Sequence, residues 1–264
     1  MPTIDELLDF ALDAVWQAGR LTLGYFQTAV SIETKETKSD NTPVTIADKE
    51  AEALLRRLIG ARYPTHGIMG EEHGQKSTNP SARYQWAIDP IDGTKSFVAG
   101  VPTYSTLLAL MDGDSAILGI IHLPALNDTI YATRGGGCYW NGRRARVSDT
   151  AELKDAVLLS SSINYGRFSL RKRMAWKQLI NATYIQRTWG DAYGYALVAT
   201  GRADIMLDPE MDFWDIAPLQ VIMEEAGGTL TDWNGQPTIH NPESIGTNGA
   251  LLDAVLAITG EIDN

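Results

Sequence analysis

Between Ile68 and Thr133 the sequence is written in short β-like runs: Trp86-Ala87-Ile88, Leu107 to Met111, Ile117 to Ile121 and Thr129 to Thr133. Runs this closely spaced predict a sheet built largely of hairpins and meanders. Gly135-Gly136-Gly137 and Asn141-Gly142 mark a further hairpin, because glycine and asparagine supply the positive φ of tight turns.

Helical periodicity flanks this region. Thr3 with Glu6 forms a capping-box pattern, and Ile4, Leu7, Leu8, Ala11, Val15 and Ala18 recur at helical spacing, which predicts a long amphipathic first helix. The polar, turn-rich segment Lys35 to Pro43 precedes a second helix, expected from near Thr45 towards Gly60, with Asp48 in its first turn. Its position and polarity would suit a lid. Beyond about residue 150 the chain alternates: a strand at Val157 to Ser160, a basic helix at Leu170 to Leu179, a strand at Tyr184 to Arg187, a helix from Tyr193 to Thr200 stopped by Gly201, a strand at Asp204 to Leu207, and a helix from Trp214 ending at Gly227-Gly228. No repeat, low-complexity tract or biased linker interrupts it. The expectation is two closely packed lobes of mixed α/β structure, residues 1–150 and 151–264, acting as a single unit.

With 44% apolar residues in 264, a packed core needs no staples. The lone Cys138 rules out an intramolecular disulfide and fits a reducing compartment. The N-terminus lacks a signal-peptide pattern and no apolar stretch approaches the roughly 20 residues that span a bilayer, so a soluble cytoplasmic protein with no membrane partner is expected. A net charge of −11 argues against a nucleic-acid partner. The short run Arg171-Lys172-Arg173 reads as a solvated helix face. An acidic chain that acted on a phosphate would need something locally positive, and a bound metal supplies it.

The segment Trp86 to Phe97 carries the most chemistry. An apolar strand ends in Asp89, Pro90 fixes the following turn, Asp92 arrives three residues on, and Gly93 frees the next amides, including that of Thr94, to approach an anion. Hard divalent cations such as magnesium take oxygen ligands from a few carboxylates. Taken alone, Asp-x-x-Asp-Gly is more often an acidic turn whose carboxylates cap amides. Gly70-Glu71-Glu72 after Ile68-Met69 offers another carboxylate at a strand end, and Asp215 stands at the start of an apolar helix, where capping is the plain alternative.

These blocks, with Lys38 to Asp48, Gly190 to Asp204 and Trp214 through Gly228, occur in an order that resembles the inositol monophosphatase-like superfamily of metal-dependent phosphatases over nearly the whole chain. The resemblance implies a layered αβαβα sandwich and a small-molecule phosphate ester as substrate. It implies Glu71, Asp89, the carbonyl of Ile91, Asp92 and Asp215 as metal ligands, and the amides of Gly93 and Thr94 as phosphate donors. Thr94, in contact with Asp48, would help Glu71 position the attacking water. The cofactor implied is Mg2+, as a pair of ions often with a further one held weakly. The reaction implied is in-line hydrolysis by activated water without a phosphoenzyme, and the assembly implied is a homodimer.

His66, His73, His122 and His240 form no closely spaced zinc pair, and neither a Gly-x-Ser-x-Gly elbow nor a Walker-type loop occurs. Trp189, Tyr193 and Trp214 read as packing residues.

Substrate choice is expected in Arg187 to Tyr195. Inositol-specific relatives carry a small or hydroxyl residue after the glycine that is here Gly190, whereas this chain has Asp191. A carboxylate there favours a cationic alcohol, although capping of the helix at Ala192 is an alternative role, compatible with the first. With Thr94-Lys95-Ser96-Phe97, this looks similar to the histidinol-phosphatase branch of the family. Asp191 and Glu210 would recognise L-histidinol phosphate, Lys95 would bind the phosphate or the rest of the substrate, and Arg187 would hold either the phosphate side or Asp191 itself. The alternatives are an inositol or broad sugar monophosphatase and, in another class, a non-catalytic binding protein on the same fold.

Overall fold

The computed structural model describes residues 2–29, 31–36, 41–73, 78–162 and 164–260. The first helix, α1 (Ile4–Tyr25), begins at the expected capping box: Glu6 N donates to Thr3 Oγ1 and Thr3 N donates to Glu6 Oε2, at 3.2 and 2.8 Å. Strands β1 (Ile32–Glu36) and β2 (Asn41–Thr45) form an antiparallel hairpin with Ile32 opposite Thr45. Most of the segment expected to be turn-rich is therefore extended. The isoleucine, valine and threonines that flank its polar middle favour paired strands. The lid expected there falls in part on residues 37–40, outside the described residues.

Helix α2 (Ile46–Arg62) starts where the sequence predicts, capped by Thr45 and with Asp48 in its first turn. It lies with α1 on one face of a seven-stranded sheet: β3 (Gly67–Gly70), β4 (Tyr84–Asp92), β5 (Ser105–Asp112), β6 (Ser115–Leu123), β7 (Asp128–Thr133), β8 (Gly137–Trp140) and β9 (Arg143–Arg144). The strands lie side by side in chain order. Only β3 and β4 are parallel; the rest is the predicted antiparallel meander. Between β4 and β5 lies the short helix α3 (Thr94–Val98).

The second sheet has five strands: β10 (Val157–Ser160), β11 (Ile185–Arg187), β12 (Ile205–Asp208), β13 (Thr229–Thr231) and β14 (Ser244–Thr247), in the order β11-β10-β12-β14-β13. Helices α4 (Leu170–Ala182) and α7 (Leu252–Gly260) cover its outer face, whereas α5 (Asp191–Ala199) and α6 (Phe213–Glu225) lie between the sheets. The period-2 alternation of each strand feeds these layers. Trp86, Ile88, Leu108 and Leu110 pack towards α1 and α2, while Ala87, Leu107 and Ala109 pack towards α6. Leu158 faces the outer helices and Leu159 the inner ones. The result is the αβαβα sandwich that the sequence resemblance implies.

Helix α5 starts two residues earlier than expected, because Gly190 supplies its N-cap. The basic run in α4 departs further from expectation. Arg171 donates to Thr259 O, Asn234 Oδ1 and Trp233 O, and half-buried Lys172 donates to Pro209 O and pairs with Glu243. Instead of a solvated face, two of the three cations clamp α4 to carbonyls and a carboxylate of the C-terminal region. Among the described residues no helix is long and apolar enough to cross a membrane.

Candidate active site

Strand β4 builds the centre of the site. Asp89 lies two residues beyond Ala87 and so points with it towards α6. Pro90 has no N–H for the ladder of this interior strand, and the register slips there: Asp89 pairs with Leu107 but Asp92 pairs with Ser105. Three steps on β4 match two on β5, which is a β-bulge. Leu107 and Ser105 share a face, so the extra residue returns Asp92 to the side of Asp89. Thr106 Oγ1 fixes the bulge by donating to Pro90 O at 2.9 Å.

Gly93 then turns the chain with φ of +77° and caps α3. A Cβ at this position would lie 2.8 Å from Asp191 Oδ2, so glycine serves the close approach as well as the turn. Asp215 comes from the first turn of α6, where Asp212 N donates to its Oδ2 at 2.9 Å. Asp89, Asp92 and Asp215 thus bring carboxylate oxygens from two layers within 4.8 Å of one another. Glu71 sits in the turn after β3, its N donating to Ile88 O at 3.3 Å, and its charge bears on all three.

Loss of water and mutual repulsion push these acids up. Asp89 rises well above the carboxylate range through burial and then through Glu71, Asp215 and Asp92. Asp215 rises through burial, Asp92 and Glu71. Asp92 is pushed to about 8 by burial and by Asp191, although Ala192 N and Ser105 Oγ donate to its Oδ2 at 2.8 and 3.0 Å. Carboxylates crowded like this lack a cation among themselves, and the donor set is all oxygen, as a hard divalent ion requires. The residues fit a metal of the magnesium class.

A pH dependence follows with a definite sign. The unfolded carboxyls release their protons near about pH 4, whereas the native cluster keeps protons up to about 8 at Asp92. The native state therefore holds more protons across that window, and the metal-free protein should lose stability as pH rises through it. Thermal scans in chelator should show Tm falling from about pH 5 to about pH 8, and saturating magnesium should remove most of that fall. A flat profile without metal would contradict the shared charge of the cluster.

The other expected residues are placed as follows. Thr94 Oγ1 donates to Ile91 O at 3.0 Å, while Asp48 Oδ2 accepts from Thr45 N and Oγ1 at 2.8 and 2.6 Å. Each of the two is thus held by a partner close to it in sequence. Burial nevertheless lifts Asp48 to about 6. Asp191 does not cap its helix: Ala192 N is taken by Asp92 Oδ2, and Asp191 N donates to Ser161 Oγ at 2.7 Å. With φ of +55° it occupies the left-handed region, one that aspartate tolerates at some cost. Burial raises its pKa to about 6 against the opposing pull of Lys95. Arg187 is not its partner: the guanidinium lies over Trp189, 5.9 Å from the ring centroid, and Nη1 donates to Gln186 O. Glu210 is exposed beyond β12, and the acid that shares the field of Asp191 and Asp92 is buried Asp208, two residues earlier.

Sequence reasoning missed Asp208, Ser161, Ser105 and Glu52. Asp208 ends an apolar strand, Ile205-Met206-Leu207, as Asp89 does, and that signal could have found it. Glu52, one helical turn after Asp48, could have been found by spacing. Nothing local marks the serines.

The family model described as Inositol monophosphatase family matches residues 3–263. The chain is 38% identical over 255 residues to the histidinol-phosphatase of Chlorobaculum parvum, covering 96% of both chains. It is 40% identical over 227 residues to that of Mycobacterium tuberculosis, covering 84% of this chain and 86% of the relative. Among solved structures, the Thermotoga maritima IMPase superposes with a TM-score of 0.86 at 32% identity over 96% of each chain. By sequence and by fold, the chain belongs to the inositol monophosphatase family and is a phosphomonoesterase.

Proposed function

We propose that the protein is a magnesium-dependent histidinol-phosphatase, which hydrolyses L-histidinol phosphate to L-histidinol and phosphate. The observation that carries the choice of alcohol is Asp191, a carboxylate held in a left-handed backbone conformation against the metal-site turn at Gly93. Its burial disfavours the charged form, and a bound ammonium would restore it, so the site favours a cationic alcohol. The two histidinol-phosphatases at 38% and 40% identity support the same reading.

Glu71, Asp89, Asp92, Asp215 and the carbonyl of Ile91 would hold the metal. When bound, magnesium supplies Lewis-acid polarisation of the phosphate and neutralises charge that develops on its oxygens. The chain's own groups do the rest. The amides of Gly93 and Thr94 orient the phosphate oxygens. Glu71 accepts a proton from the attacking water, which approaches phosphorus opposite the ester oxygen. The P–O ester bond breaks, the alkoxide takes a proton from solvent water, and Glu71 returns its proton to solvent, so that ester and water give alcohol and phosphate. Asp191 holds the alcohol's ammonium throughout and fixes the in-line geometry.

A second reading, an inositol or sugar monophosphatase, is favoured by Lys95, whose charge bears on Asp191 and lessens its demand for a cation. Steady-state kinetics with histidinol phosphate, inositol 1-phosphate and fructose 1,6-bisphosphate, each with and without magnesium, separate the two. Histidinol phosphate should show the highest kcat/KM, and turnover should vanish in chelator. A preference for inositol phosphate would overturn the choice of alcohol while leaving the phosphatase intact.

A further inference from the structure

Glu52 is a buried carboxylate that no step above uses. It stands on α2 one turn beyond Asp48, with 0% of its surface exposed. Every donor it meets has a place in the fold. Oε1 accepts from Arg56 Nε at 2.6 Å, the next turn of the same helix, and from His73 N at 3.0 Å. Oε2 accepts from Glu72 N at 2.6 Å. Gly70 completes the cradle, since a Cβ there would lie 2.5 Å from Glu52 Oε1.

These contacts surround Glu71 without touching the role given to its carboxylate. On one side, Glu71 N is tied to Ile88 O of β4, the residue before Asp89. On the other, the next two amides are tied to Glu52. A turn between a strand end and a loop would otherwise be free to rotate about its own backbone, and two backbone donors on the two oxygens of one carboxyl group make a directional tie. Arg56 places a counter-charge 2.6 Å from the buried carboxylate. Helix α2 thus reaches under the turn from the opposite side to β4.

We propose that Glu52 is a positioning residue: by accepting from the amides of Glu72 and His73, it orients the Glu71 turn so that the Glu71 carboxylate faces the Asp89, Asp92 and Asp215 cluster. The proposal rests on the metal-dependent reading of that cluster. Loss of a group that orients a metal ligand commonly costs about tenfold or more in metal affinity or activity.

The test compares wild-type protein with Glu52→Gln, Glu52→Asp and Gly70→Ala, the last displacing the carboxylate without removing its charge. Magnesium binding is measured by calorimetry on the metal-free proteins, beside kcat, KM and Tm. Glu52→Gln should weaken magnesium binding by about tenfold or more and lower kcat, with KM for the ester at saturating metal within about twofold. Glu52→Asp should recover part of the loss, and Gly70→Ala should reproduce the Glu52→Gln pattern. Wild-type metal affinity and kcat in Glu52→Gln, with only a lower Tm, would reduce Glu52 to a structural anchor. Should Glu52→Gln fail to fold, wild-type metal affinity in folded Gly70→Ala would overturn the proposal. Binding of magnesium by wild type without metal-stimulated turnover would instead overturn the reading of the reaction, and the calorimetric comparison would still judge Glu52.

Discussion

Asp89→Asn should abolish magnesium-dependent phosphate release while making the metal-free protein more resistant to heat. Asp89 is buried at 3% exposure, and the charges of Glu71, Asp215 and Asp92 all act to raise its pKa. Its Oδ1 accepts from Ile91 N at 3.0 Å, a bond that an asparagine carbonyl can keep, so the bulge should survive. What disappears is one negative charge from a crowded set. Without metal this relieves repulsion; with metal it removes the most deeply buried carboxylate of the set. A loss of kcat/KM on the order of 10²–10³ or more is expected, comparable with the removal of other preorganised electrostatic groups. Phosphate release and thermal scans in chelator check both halves. Retained turnover would displace Asp89 from the metal site, and a lower metal-free Tm would show that its charge is compensated in the fold.

Replacing Asp191 should alter which ester is hydrolysed more than how fast phosphate leaves. Asp191→Asn keeps the side chain's shape and tolerates the left-handed backbone at φ of +55°, so it isolates the charge. Truncating one partner of a desolvated charge pair typically costs ~2 kcal/mol or more, equivalent to about 30-fold in kcat/KM. That loss is expected for histidinol phosphate. Glycerol phosphate, whose alcohol is neutral, should change by less than about threefold. Asp191→Ala adds the backbone cost of a residue ill suited to positive φ and should affect both esters further. Equal losses on both esters in Asp191→Asn would mean that Asp191 serves only to place α5.

Much of this arrangement was legible before any coordinates. The capping box at Thr3, the start of the second helix near Thr45, the meander from β4 to β8 and the carboxylates closing apolar runs are local patterns, and local patterns survive into the fold. Glu52 was not legible as a positioning residue, because its partners are amides twenty and twenty-one residues away, which only the docking of α2 brings near. Lys172 was misread for the same reason. A basic residue on a helix suggests solvent until β12, β14 and the loops beside them supply a carbonyl at Pro209 and a carboxylate at Glu243. The hydrogen bonds that Thr94 and Asp48 do make run to partners three residues away in sequence, Ile91 and Thr45. The role of Asp92 as acceptor for α5 could not be foreseen either, since the helix it caps starts about a hundred residues later.

The bulge at Pro90 and Ile91 ties the site to the reading frame of β4. Inserting one residue between Asp89 and Asp92, with the single extra residue of the bulge kept, would shift the pairing with β5 by one position and swing the second carboxylate towards α1 and α2. The spacing of these acids is thus an integer, which substitution can leave alone but insertion or deletion cannot. Asp191 obeys no such constraint. It follows β11 of the other sheet and meets the Asp92 turn only across the interior. A descendant of this chain could therefore exchange the alcohol it accepts by changing one residue at the head of α5, while the arithmetic of β4 kept the phosphate chemistry unaltered.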